Sequence, residues 1–98
     1  MIGVLIDMGA NDGVVALAKK DLACRRGISV DRIALKHIES VDWSDASLGC
    51  PEGGKAYAQV IIPGYRLVLS DGTADFEYHT DNYRRVVFYQ TINQSTTK

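Results

Sequence analysis

Cys50, His79 and Asp81 are the residues whose types could support covalent chemistry. A nucleophilic thiol needs a base to take its proton, and that base needs a third group to orient it. His79 and Asp81 share one parity on an extended strand, so a Cys-His-Asp constellation can be written down. The spacing does not fix their distance from Cys50. The stretch "SLGCPEGG" (47–54) carries neither a glycine-rich oxyanion loop nor a strand-to-helix elbow. A free cysteine is more often a small buried apolar residue. The preferred reading is therefore that Cys50 anchors a shaped loop between two strands.

Metal chemistry has a thinner basis. Cys50, His37 and His79 could supply ligands, but no C-x-x-C or H-x-x-x-H pair exists. Structural zinc needs four well-placed ligands. "GCPEGG" is not a phosphate loop, because the Lys-Ser/Thr ending is absent. No metal and no cofactor are expected. Trp43, Tyr57, Tyr65 and Tyr78 form the richest aromatic set. The plainer reading is strand packing; the sharper one is an exposed patch that grips a peptide or glycan. Asp45 and Ser47 read as turn formers whose side chains bond nearby backbone. If the domain has a recognition surface, Ser47, Leu48, Cys50, Tyr57 and Tyr65 are the expected members.

These residues must be positioned by a small set of elements. Residues 2–6, "IGVLI", read as an edge strand or an arm, within an N-terminal segment 1–11. "GANDG" reads as a breaker, and Asn11 or Asp12 as a cap. A helix is expected over 12–27. Val15, Ala18 and Leu22 follow its period, and Val14 and Leu17 widen the stripe. Arg25 and Arg26 suit the negative end of the helix dipole, and Gly27 supplies a left-handed cap.

The period then changes to two, and a sheet is expected over 33–91. "RIALKHIESVDW" alternates, with a bulge near His37–Ile38. "AYAQVII" (56–62) reads as a strongly apolar strand that Pro63-Gly64 interrupts before "YRLVL" (65–69). "SDGT" is a turn signal. "DFEYH" (75–79) puts Phe76 and Tyr78 on one side, and Glu77 and His79 on the other. "TDNYR" turns again, "RVVFYQT" (85–91) closes the set, and the tail 92–98 is expected to fray. Short sequential connections favour antiparallel neighbours. The expected fold is α+β: one domain over 1–98, with an N-terminal helix packed on an antiparallel sheet of about four strands.

Composition bounds the function. The 98 residues are 46% apolar and 23% charged, which fits a globular domain and excludes low-complexity disorder. Net charge is −1, so the basic excess of a nucleic-acid binder is missing. Lys19-Lys20 and Arg25-Arg26 lie near aspartates and read as a solvated helix face. No apolar run approaches the ~20 residues of a membrane span. The N-terminus lacks a basic n-region and does not read as a signal peptide; the compartment stays open between cytoplasmic, as the chain stands, and a mature fragment given a new Met. Cys24 sits within the expected helix, and both cysteines are expected to be reduced and unbonded to each other.

The stretch from Trp43 to Asp81 resembles a group of uncharacterised bacterial proteins, many of them secreted or lipid-anchored. Its pattern is W-x-D-x-S-L-G-C-P, then Y-x-Q-V, then P-G-Y-x-(I/L)-x-L, then (Y/F)-E-Y-H-T-D. The matching residues are Trp43, Asp45, Ser47 to Pro51, Tyr57, Gln59, Val60, Pro63 to Tyr65, Leu67, Leu69 and Phe76 to Asp81. "AKKDLACRRGIS" is similar to the group's helix, although Cys24 departs from it, and "DNYRR" replaces a glycine-containing turn. The resemblance implies no activity. At the level of fold alone, the order of elements is similar to PepSY-type modules, which are associated with binding or restraining peptidases. The expected function is a non-enzymatic binding module that recognises a peptide or restrains a peptidase. The alternative is a thiol-dependent enzyme using Cys50 and His79. The apolar segments "IGVLI" and "VVFYQ" would make a homodimer possible by edge pairing.

Overall fold

In the computed structural model the backbone of residues 2–94 and the side chains of residues 13–92 are described. Helix α1 (Ile2–Arg26) is followed by a short 3-10 turn (Val30–Arg32) and four strands. These are β1 (Ala34–Trp43), β2 (Ile62–Ser70), β3 (Ala74–Asp81) and β4 (Val86–Gln94). All neighbours are antiparallel, in the order β1-β2-β3-β4. The domain is the α+β arrangement of one helix on a four-stranded sheet.

The helix follows its apolar stripe. Val14, Val15, Ala18, Leu22 and Ala23 are buried, whereas Leu17 is exposed at the margin. Gly27 has φ +68°, and the Ile28 N–H donates to the Ala23 carbonyl at 3.0 Å, which closes the last turn. Helical backbone also runs back through "GANDG" to Ile2. Over residues 2–11 helix therefore stands where an arm or edge strand was expected, and Met1 lies outside the described residues. A glycine or asparagine inside a helix costs at most about 1 kcal/mol relative to alanine, so such residues weaken a helix without ending it.

The sheet has two different faces. Leu67, Leu69, Phe76 and Tyr78 point to the helix and join Val15, Ala18, Leu22, Ala23 and Ile33 in one core. Each fully buried large apolar side chain contributes about 1.5–3 kcal/mol. Leu48, fully buried, and Val68, at 9% exposure, lie outside that cluster. On this opposite face Arg66, Val68, Glu77 and His79 alternate with the core residues, as a strand's period of two requires.

Two strand expectations need correction. Residues 56–61 form no strand, and Val60 and Ile61 are 52% and 63% exposed. The ladder partners explain this. β1 ends at Trp43, which pairs with Ile62, so residues before Ile62 have no strand to bond. Pro63-Gly64 does not interrupt a strand but lies inside β2. Pairing of β2 with β3 begins only at Gly64, so Pro63 is placed where the sheet needs no second ladder. The bulge expected near His37–Ile38 falls between Leu35 and His37. At the C-terminus β4 continues to Gln94, past the start of the expected frayed tail, and residues 95–98 lie outside the described residues.

Candidate functional site

The loop 44–61 folds over the helix-free face of the sheet. Asp45 starts it as a turn former: its carboxylate accepts the Ser47 N–H at 2.9 Å and the Ser47 hydroxyl at 2.6 Å. These two bonds hold Asp45 below the usual carboxylate range. Ser47 and Leu48 are buried, and the Cys50 N–H donates to the Ser47 carbonyl at 2.9 Å. Leu48 has φ +57° and Gly49 φ +78°. A left-handed leucine costs about 1–3 kcal/mol, so something must hold it there.

That holder is His79, only 4% exposed on β3. Its Nδ1 lies 2.6 Å from the Leu48 carbonyl oxygen. Its Nε2 lies 2.7 Å from Glu77 Oε2. The ring is stacked between Trp43 at 4.3 Å and Tyr89 at 4.4 Å, nearly parallel to both. Trp43 is fixed in turn, donating its indole N–H to the Thr80 carbonyl at 2.9 Å. A side chain on Gly49 would place Cβ 3.2 Å from both His79 and Trp43, so the loop crosses the stack too closely for one. Cys50 Sγ completes the cluster, 3.4 Å from His79 Nδ1.

Glu77 is the hub beneath. Arg66 donates to its Oε2 at 2.8 Å and Gln90 to its Oε1 at 2.9 Å. Burial pushes this carboxyl up, but the hydrogen bonds from His79, Gln90 and Arg66 outweigh that and hold it below its usual range. Burial pushes the Cys50 thiol up, and the Glu77 charge adds to this, partly countered by Arg85. A raised thiol is a poor nucleophile at neutral pH. Chemically, the arrangement binds loop to sheet; the residue types of a thiol-histidine-carboxylate relay are present with the thiol unactivated.

The other expected residues are dispersed. Asp81 does not face the imidazole but caps the β3–β4 turn, accepting the N–H groups of Tyr83, Arg84 and Arg85 at 2.8–3.0 Å. Tyr57 stays in the loop, where its hydroxyl accepts the Glu52 N–H at 3.0 Å. Tyr65 packs against the helix-side core, on the far face from the loop. Tyr78 is fully buried. His37 bonds Glu39 at 2.9 Å on the exposed part of β1. Cys24 and Cys50 are both free thiols. Among the described residues no group of three His, Cys, Asp or Glu side chains could hold a metal ion. A shallow groove of about 380 Å³ lies elsewhere, between Leu17, Lys20, Asp21 and Cys24 of α1 and Val86 of β4.

Sequence reasoning missed Glu77, Arg66, Gln90 and Tyr89. One signal was available: Glu77 shares the parity of His79 as well as Asp81 does, and lies in the middle of the strand, where burial is deepest.

A family model described as a domain of unknown function (DUF8738) matches residues 15–89. No curated protein and no solved structure matches the chain. Among the described residues no helix is long and apolar enough to cross a membrane.

Proposed function

This chain belongs to the DUF8738 family, and we propose from its geometry that it is a non-enzymatic binding module for an extended peptide segment. One observation carries this reading. The thiol and imidazole that the alternative would need as nucleophile and base, Cys50 and His79, are spent on docking the loop, with both ring nitrogens engaged and the thiol pushed up. What the docked loop presents is residues 51–61, held out beside the start of β2 with Val60 and Ile61 exposed. The neighbouring edge of β1 is largely exposed, and among the described residues no second strand pairs with it. A peptide strand added there gains backbone hydrogen bonds from the edge and apolar contacts from the loop.

Selection from a displayed library of random peptides tests it. Wild type and Cys50→Ser are expected to enrich the same sequences, and Val60→Asp with Ile61→Asp to lose them. A second reading, thiol-dependent catalysis, has one specific support: the 3.4 Å approach of Cys50 Sγ to His79 Nδ1. Turnover of activated esters or thioesters that Cys50→Ser abolishes, together with no peptide enrichment, would replace the first reading by the second.

A further inference from the structure

We propose that His79 is a proton-operated latch that decides whether the loop 44–61 is docked on the sheet. As a regulator of peptide binding it rests on the function proposed above; as a property of the loop it stands alone.

The hydrogen-bond partners set the ring's protonation. The Leu48 carbonyl oxygen can only accept, so Nδ1 at 2.6 Å must donate. Glu77 takes donors on both oxygens, from Arg66 and Gln90, as an ionised carboxylate does. Nε2 at 2.7 Å from that carboxylate must therefore donate as well. Two donating nitrogens make an imidazolium. Its position between the faces of Trp43 and Tyr89 suits a cation. A neutral ring has one N–H. It would leave either the Leu48 carbonyl or the Glu77 carboxylate facing a lone pair, in a site almost closed to water.

On its own strand the ring faces Glu77; from β2 Arg66 reaches it through Glu77; β1 and β4 supply the rings of Trp43 and Tyr89. The loop supplies Cys50, whose charge is influenced by Glu77 and Arg85. The thiol, pushed up, stays neutral where an imidazole ordinarily titrates, so it does not take over as the ring's counter-ion. Release has a ready driving force: the left-handed Leu48 relaxes once its carbonyl is freed.

Side-chain ¹⁵N NMR of His79, with hydrogen exchange of the loop amides, tests the latch without any peptide. The titration starts at about pH 5, within the range where imidazoles change charge, and rises until the ring loses a proton. Both ring nitrogens are expected to be protonated while the loop is docked. Protection of the Ala46 and Cys50 amides, bonded to the Ala58 and Ser47 carbonyls, should fall about tenfold or more in the same step, with β2–β3 amides unchanged. A singly protonated ring under a docked loop, or loop protection that ignores the ring's deprotonation, would overturn the proposal. His79→Phe, which keeps a ring in the stack without donors, should show a poorly protected loop at every pH. Protection equal to wild type would sink the latch; if that variant fails to fold, the wild-type titration decides alone. Failure to enrich peptides would leave these results standing.

Discussion

A Cβ on Gly64 would sit 1.9 Å from the Thr80 carbonyl oxygen, a contact no rotamer can relieve because both partners are backbone. Gly64→Ala is expected to destabilise the domain by about 1–3 kcal/mol, as overpacking does, read as a lower midpoint in urea. The two thiols differ just as sharply. Cys24 is exposed on α1, whereas Cys50 is half-buried and pushed up. Iodoacetamide at neutral pH should therefore modify Cys24 first, and Cys50 should lag unless the loop opens. Equal rates in the folded protein would contradict the docked loop. At this scale the sequence showed residue types but not partners. Cys50 and His79 could be named from the chain, but parity alone did not choose the acid beside His79; the mid-strand place of Glu77 was the one signal, and the turn that engages Asp81 decides it.

The elements are tied together at the β2–β3 turn. Asp71 Oδ1 accepts from the Thr73 N–H and hydroxyl at 2.9 Å each and from the Ala74 N–H at 3.0 Å, while its Oδ2 takes Arg26 of α1 at 2.8 Å. Burial pushes the carboxyl up, but those bonds hold it well below the ordinary carboxylate range. Such a group binds fewer protons folded than unfolded. Its stabilisation is complete above about pH 4, the unfolded value, and is lost as pH falls below it. Acid unfolding of wild type should thus begin below that pH, and Asp71→Ala should flatten this part of the stability curve while costing about 1–3 kcal/mol at neutral pH. A variant with the same acid slope as wild type would show that another carboxylate sets it. The turn itself was legible in "SDGT", and the helix in its apolar stripe, since both depend on local chemistry. The run 56–62 misled because apolar content makes a strand only where a partner ladder exists, and β1 had already ended.

Across the whole molecule the two sheet faces divide the work: one is sealed by α1, the other by a loop held through polar contacts. Stability should therefore reside mainly in the first. Val60→Asp and Ile61→Asp, which change only exposed side chains, are expected to alter unfolding free energy by no more than about 0.5 kcal/mol. A larger loss would mean that the outer loop belongs to the core. The change of period after Gly27 made this two-layer plan readable. Which face carried the site was not readable, because the fold of the loop over His79 depends on contacts distant in sequence.

The strand order β1-β2-β3-β4 has a kinetic consequence. Each strand pairs with its neighbour in sequence, so assembly can proceed by zipping hairpins. β2–β3 and β3–β4 close over a few residues, whereas β1–β2 must close the whole of 44–61. Closure entropy grows only with the logarithm of loop length, so this step is slower without being forbidding. The expected sequence of events joins β2, β3 and β4 under the helix first and adds β1 afterwards, with the loop settling last. During that interval a newly made chain would hold a finished helix-side core while its opposite, loop-covered face had yet to take shape.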